Sequence, residues 1–360
     1  MPENYDSTIF NDYKGCRQWL EEIAGASQMV DATRKWPAKS LEQLANNGVL
    51  AGLFSNERGG TGWSSESQLS AYFHIAKACL TTAFILTQWH ASTKRLEVHA
   101  SKAFWDKWQN LLVSGTAWTT VGISHLTTSR QHVTNPPLTA TRTSSGYQLN
   151  GYAPWVTGAA HAQLLVVGAV TEEQQQILVA VETAQPEVIS GQGFPLIALS
   201  ASCTDRVDFH SAFVPQHYVL AGPNEQVLKL GSTGPGGLHT SILALGLASR
   251  AIDYLLEQST LRPDFLKPSE ELQAELTLRL NELLSIGCGR PSVSLDQLRQ
   301  HSNSLVLRAT QAALAAAKGA GYCSDHPVGR WCREALFFLV WSCPQSVVRA
   351  QVCELAGLSE

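Results

Sequence analysis

The sequence predicts an α+β protein built in three parts: an N-terminal helical domain, a middle antiparallel β domain and a C-terminal four-helix bundle. Two observations predict this order. Apolar residues recur every three or four positions at both ends of the 360-residue chain, and short apolar runs separated by turn residues occupy the middle. The changes in periodicity predict domain limits at residues 1–112, 113–222 and 223–360.

The composition excludes several classes of protein. A hydrophobic fraction of 44% with 16% charged residues is ordinary for a globular chain and excludes wholesale disorder. The net charge of −4 and the lack of a Lys/Arg cluster argue against a nucleic-acid partner. No window is apolar enough to predict a membrane span, so we expect no membrane partner.

The N-terminal part carries the pattern of amphipathic helices from about Ser7 to Leu112. Leu41, Leu44 and Leu50 are spaced at helical intervals, and residues 69–80 repeat the pattern. A glycine-rich stretch, residues 56–62, separates the two segments and predicts a loop whose backbone needs positive φ.

The middle part predicts short strands. Alternating or continuous apolar runs occupy residues 138–143, 147–150, 163–170, 177–181 and 207–209, and turn residues separate them. This texture predicts the antiparallel β domain.

The C-terminal part returns to helical periodicity, with helices predicted over residues 237–259, 270–286, 295–318 and 327–355. Cys332, Cys343 and Cys353 are spaced to share one face of the last of these helices, as buried reduced thiols. The eight cysteines form no paired motif and the N-terminus shows no secretory signal, so we expect a reducing cytoplasm.

Several blocks carry a family resemblance. Residues 146–158 read GYQLNGYAPWVTG, residues 57–62 read ERGGTG, and residues 318–335 read KGAGYCSDHPVGRWCREA. In order and spacing these blocks resemble motifs of the acyl-CoA dehydrogenases. Further similar blocks lie at residues 208–215 and 245–251, so the resemblance spans almost the whole chain.

The resemblance implies FAD as the cofactor, held without a covalent bond. It implies that Trp155 packs on the flavin ring, that Thr157 hydrogen-bonds near it, and that Ser124 supplies a further hydroxyl. A flat aromatic shields a ring face from water, and a short hydroxyl can meet a ring heteroatom, so the residue types suit these roles.

The resemblance also implies self-association as a dimer or tetramer. Arg262, Phe265 and Gln273 match a family arrangement that reaches across the dimer interface to the FAD of the partner. An Arg offers a fixed cationic fork for a pyrophosphate, Phe a surface for the adenosine half, and Gln a neutral polar contact.

The pattern breaks on the substrate side. The catalytic Glu of the family is replaced by Ser342, and a hydroxyl unaided is a poor base. The stretch where some relatives carry that Glu, residues 236–241, has only His239 as an ionisable group. The loop over the flavin, residues 123–130, lacks the family's Glu, Pro and Gly-Ser-Asp, and Ala315 replaces a Gln. The catalytic residues are therefore unknown, and no metal site is expected.

Three functions stay open on the sequence. The chain is first interpreted as an FAD-dependent oxidoreductase acting on a small-molecule substrate, an acyl thioester or a similar CH–CH compound. The second interpretation is a monooxygenase of the same fold that uses reduced flavin, with His239 and His125 as hydrogen-bonding groups beside the ring. The third is a non-catalytic protein that has kept the fold.

Overall fold

The computed structural model describes residues 17–126, 136–230 and 238–358. The α+β class is confirmed, with helices at both ends and a sheet between them. The predicted domain limits stay predictions.

The N-terminal part is helical throughout its described length. Leu41 and Leu44 are buried on the second helix and Leu50 on the third, as the spacing predicts. Gly59 and Gly62 in the predicted loop have φ of 77° and 58°, which favour glycine. The helices are α1 (Arg17–Thr33), α2 (Ala38–Asn46), α3 (Val49–Leu53), α4 (Ser65–Ala78), α5 (Leu80–His99) and α6 (Lys102–Val113).

The middle part forms one sheet of eight strands among the described residues. They are β1 (Thr119–Gly122), β2 (Leu138–Arg142), β3 (Gly146–Val156), β4 (Leu164–Thr171), β5 (Gln176–Glu182), β6 (Val188–Ser190), β7 (Asp205–Pro215) and β8 (Val219–Asn224). Their order is β6-β7-β3-β2-β4-β5-β8, with β1 also paired to β4.

The sequence predicts a wholly antiparallel sheet, and this prediction is wrong because the sheet is mixed. β1 and β2 each run parallel to β4, whereas the other pairs are antiparallel. Alternation of side chains predicts which face of the sheet a residue occupies, but it does not predict which strand lies beside it. The parallel pairing therefore could not be predicted from the apolar pattern. The apolar pattern does not predict the short strands β1, β6 and β8.

The C-terminal part contains three long helices, α7 (Leu238–Ser259), α8 (Leu266–Gly287) and α9 (Leu295–Ala317), close to the predicted limits. Two shorter helices follow, α10 (Pro327–Ala335) and α11 (Gln345–Leu355). No helix in these stretches, nor elsewhere in the described ranges, is long and apolar enough to cross a membrane.

The prediction of a single last helix over residues 327–355 is wrong. It is interrupted by a 3-10 turn at Leu336–Leu339 and by Pro344, which directly precedes α11. Proline lacks a backbone N–H and disfavours a helical residue before it, so the helix cannot continue. Cys332, Cys343 and Cys353 therefore do not share one helical face, since Cys343 lies in the interruption.

Two contacts between these parts position the candidate site. The buried hydroxyls of Ser92 on α5 and Thr119 on β1 lie 2.6 Å apart, which joins α5 to the sheet. On its other side α5 packs with α4 against α7.

Candidate functional site

The end of β3 carries an exposed aromatic side chain in a strained backbone. The pairing of β3 with β7 shifts register between Ala153 and Val156, which is a β-bulge. Trp155 lies in this bulge with φ of 55° and leaves 52% of its surface exposed, and its ring meets the edge of Phe194 at 5.3 Å. A bulky residue at positive φ costs free energy, and such strain concentrates at functional sites.

Thr157 follows the bulge and is buried. Its Oγ1 lies 2.9 Å from Oγ1 of Thr204, which lies 2.8 Å from Oγ of Ser202, so three hydroxyls form a chain. The next residue, Gly158, has φ of 65°, and an added Cβ would lie 2.5 Å from the ring of Trp36. The backbone after Trp155 is therefore held tightly. Because a hydroxyl has one donor and two acceptor positions, Thr157 keeps capacity for a further contact.

Ser124 lies beside the bulge. It begins a 3-10 turn one residue after β1 ends, and its Oγ donates to the carbonyl of Pro154 at 3.0 Å, one residue before Trp155. The structure thus brings Ser124, Trp155 and Thr157 to one corner of the sheet. The loop residues 127–130 lie outside the described residues.

His125 lies in the core against strand β4. It is buried, and its Nε2 lies 2.7 Å from the carbonyl oxygen of Gly168 on β4. A carbonyl only accepts, so Nε2 carries the proton and donates. This geometry gives His125 a structural contact within the sheet.

Arg262 and Phe265 lie at the turn from α7 to α8, and Gln273 lies on α8. Nη1 of Arg262 donates to the carbonyl of Ala316 at 2.8 Å, and Nη2 donates to Oε1 of Gln258. The guanidinium lies 4.5 Å from the centre of the Phe265 ring. Gln273 follows about two turns further along α8 and is half-buried. The Arg262 fork is therefore held in one orientation, which lowers the entropy it loses on binding an anion.

The turn that carries Ser342 contains an aromatic cluster. The rings of Phe337 and Trp341 stack at 4.9 Å, and Phe84 of α5 meets them edge-on at 4.9 and 5.1 Å respectively. Ser342 itself is exposed with φ of 46° and makes no hydrogen bond to a described residue. No described residue hydrogen-bonds to the Ser342 hydroxyl, so none of them activates it as a base.

His239 is half-buried and forms a cluster with two buried side chains of neighbouring helices. Its ring packs against Tyr72 of α4 at 4.8 Å and against His90 of α5 at 5.4 Å. The hydroxyl of Tyr72 lies 2.9 Å from Nδ1 of His90, whose Nε2 is buried without a described partner. No sequence signal marked Tyr72 and His90, because both occupy core positions of helices and come together only when α4 and α5 pack.

Burial keeps the cluster uncharged. Burial, with a smaller contribution from Lys94, lowers the pKa of His239 to about 4. Burial, then the charges of His239 and Lys94, lowers the pKa of His90, and burial raises the pKa of Tyr72. Tyr72 is therefore protonated at neutral pH and donates to Nδ1 of His90, which leaves Nε2 as the protonated nitrogen.

Comparison with known proteins agrees with the resemblance, although no protein-family model matches the chain. The chain is 24% identical over 343 residues to the probable acyl-CoA dehydrogenase YngJ of Bacillus subtilis (strain 168), with 88% of each protein covered. It is 27% identical over 345 residues to the mitochondrial isovaleryl-CoA dehydrogenase of Oryza sativa subsp. japonica, covering 88% of this chain and 83% of that protein.

Solved structures share the fold. Butyryl-CoA dehydrogenase from Megasphaera elsdenii superposes with a TM-score of 0.82 at 20% identity, covering 99% of this chain and 100% of that one. TdsC from Paenibacillus sp. A11-2, solved with FMN and indole, gives a TM-score of 0.76 at 20% identity, with 96% and 98% covered. Since the curated relatives align along most of both chains and the helix–sheet–helix fold agrees, the chain belongs to the acyl-CoA dehydrogenase superfamily.

Proposed function

We propose that the protein is a flavin-dependent oxidoreductase. The observation that carries the proposal is Trp155, a half-exposed indole held at positive φ in a bulge. Exposing a large aromatic in a strained backbone is unfavourable unless a ligand covers it, and a flat ring system is the ligand that suits an indole face. The named relatives are dehydrogenases of acyl-CoA compounds, which agrees with this chemistry.

The described residues fit a flavin. Ser124, Trp155 and Thr157 supply two hydroxyls and an aromatic face at one corner of the sheet, and they would hold the ring. Arg262, Phe265 and Gln273 supply a cation, a ring and an amide, and they would hold the pyrophosphate and adenosine of FAD bound to a second subunit. A bound flavin would supply two-electron redox chemistry.

We propose FAD rather than FMN, because the second group of residues has a role only with a dinucleotide. The cofactor released by denaturing the purified protein identifies it by chromatography. Some structural neighbours are solved with FMN, so finding FMN alone would contradict the assigned roles of Arg262 and Phe265.

A mixed-dimer experiment tests the division of the site between subunits. Trp155→Ala and Arg262→Ala are each expected to lose the flavin. When the two variants are mixed in equal amounts and exchange subunits, half of the dimers contain one subunit of each variant. Each of these mixed dimers has one intact site out of two, so about a quarter of the wild-type flavin content should return. If all six residues served a site within one subunit, mixing would restore none.

Matched controls are Tyr152→Ala, which removes another exposed aromatic of β3, and Arg308→Ala, which removes an exposed Arg of α9. Both should keep the flavin. If wild-type protein binds no flavin after reconstitution, the proposed function fails and the non-catalytic interpretation stands.

We propose an acyl thioester or a similar CH–CH compound as the substrate. The base is not assigned, since Ser342 is a hydroxyl without a described partner and His239 is half-buried against Tyr72 and His90. Bleaching of the flavin by an acyl-CoA panel without oxygen would support dehydrogenation.

A monooxygenase is the second candidate, favoured by the absence of a carboxylate at Ser342. A structural neighbour, TdsC, is a dibenzothiophene monooxygenase, with a TM-score of 0.75. Turnover that needs oxygen and a reductase supplying reduced flavin, with no bleaching by acyl-CoA, would favour this function over dehydrogenation.

A further inference from the structure

A cavity of about 210 Å³ lies among α1, α4, α7 and α10, and none of its lining residues belongs to the sheet. Gln28, Ala78, Arg250 and Arg330 line it, one from each of these helices. None of them takes part in the flavin site proposed above.

Arg330 is the unusual member of this lining. It is only 5% exposed, yet its guanidinium donates no hydrogen bond to a described residue. The nearest carboxylate oxygen, Oε1 of Glu334, lies 3.9 Å from Nε, which is too far for a hydrogen bond. Buried charged groups are almost always hydrogen-bonded, so a guanidinium left open at a cavity indicates an absent acceptor.

Arg250 brings a second guanidinium to the same cavity. It is half-buried and lies 5.3 Å from the centre of the Trp331 ring, and it likewise donates no hydrogen bond to a described residue. Trp331 lines the cavity as well. Two cationic forks and an indole therefore surround one space.

The charges around the cavity favour an anion. One carboxylate, that of the exposed Asp325, lines the cavity against the two guanidinium groups. Glu334 lies behind Arg330, and burial, opposed by Arg330, raises its pKa to about 7, so it only partly neutralises Arg330 at neutral pH. Among the residues that line the cavity, the two guanidinium groups therefore outnumber the one carboxylate.

We propose that this cavity binds a small organic acid, with Arg250 and Arg330 holding its carboxylate and Trp331 packing on its apolar part. The guanidinium fork matches a carboxylate in geometry. A volume of about 210 Å³ equals about seven waters, more than a bare inorganic anion fills. Ala24, Ala78 and Pro327 supply the remaining apolar wall.

Calorimetric titration of the full chain with benzoate and propionate tests the proposal, with thermal unfolding as a second measurement of binding. Sodium phosphate and sodium chloride at matched ionic strength serve as comparison anions. We expect saturable binding of one carboxylate per chain and a higher melting temperature, with weaker or no binding of phosphate and chloride.

Variants assign the binding to this cavity. Arg250→Met should raise the Kd by about tenfold or more, because it removes one guanidinium that makes no hydrogen bond to a described residue. Arg308→Met removes the same charge from the surface of α9 and should change the Kd by less than about twofold. Asp325→Asn removes the competing carboxylate and should lower the Kd.

Arg330→Lys keeps the charge but loses the fork, so it should weaken binding while the protein stays folded. The proposal is overturned if neither acid saturates or shifts the melting temperature, if phosphate binds more tightly than both acids, or if Arg250→Met binds as the wild type does. Flavin content should be the same in Arg250→Met and in the wild type, so the result is independent of the proposed function.

Discussion

At the scale of single residues, the candidate site depends on side chains that the fold holds in unfavourable states. Trp155 is half-exposed at φ of 55°, and Nε2 of His90 is buried without a described partner. Each state costs free energy that the surrounding packing must offset. A bound molecule that covered such a side chain, or that accepted its hydrogen bond, would lower this cost.

Replacing Trp155 separates backbone strain from the role of its side chain. Because glycine accepts positive φ without penalty, Trp155→Gly should be more stable than Trp155→Ala by about 1 kcal/mol, and both should lose the flavin. Denaturant unfolding of the cofactor-free proteins measures the difference. At Tyr152, whose φ is not positive, the order should reverse, with Ala more stable than Gly. Equal stability of the two Trp155 variants would contradict the strain.

At the scale of elements, the interruption between α10 and α11 shapes the face that carries Ser342. The turn exists because Pro344 ends the helical path, and two buried side chains of α9 stabilise it. Nδ2 of Asn303 donates to the carbonyl of Phe338 at 2.9 Å, and Nη2 of Arg299 donates to the carbonyl of Trp341 at 2.6 Å. These bonds satisfy carbonyls that an unbroken helix would have paired internally.

Ser342→Gly should raise the free energy of unfolding by about 1 kcal/mol, because the residue sits at φ of 46° with an exposed side chain. Ser342→Ala keeps the strain and should leave stability within about 0.5 kcal/mol of the wild type. Thermal or denaturant unfolding checks both. A loss of stability in the glycine variant would mean that the Ser342 side chain makes a contact that the turn requires.

At the scale of the whole molecule, the packing of α4, α5 and α7 holds the cluster of Tyr72, His90 and His239 in its neutral form. The pKa of His239 is lowered to about 4 by burial, from about 6.5 in an unfolded chain. Below pH 6.5 the unfolded chain therefore binds a proton that the folded chain rejects. Neutral His239 therefore contributes fully to the free energy of unfolding above pH 6.5, and this contribution is lost as the pH falls towards 4.

We expect this loss to reach about 1.4 kcal/mol per pH unit, and His239→Gln should abolish it. Glu334, whose pKa burial raises to about 7, acts with the opposite sign between about pH 4.5 and 7. The measurement is therefore the difference in unfolding free energy between the variant and the wild type across this range. A constant difference for His239→Gln would show that the folded chain does not keep His239 neutral.

The sequence by itself determined the fold class, the positions of the long helices and the blocks that carry the family resemblance. Periodicity reports which face of a helix or strand is buried, and that property is local to the segment. The residues of the proposed flavin site were likewise named from local motifs, as with Trp155 and Thr157.

Only the tertiary structure decided which distant groups meet. The parallel pairing of β1 with β4, the contact of Tyr72 with His90, and the meeting of Arg250 and Arg330 at one cavity each join residues of different elements. No local pattern encodes such neighbours, because they arise when whole elements bury their apolar faces against each other and carry their polar side chains with them.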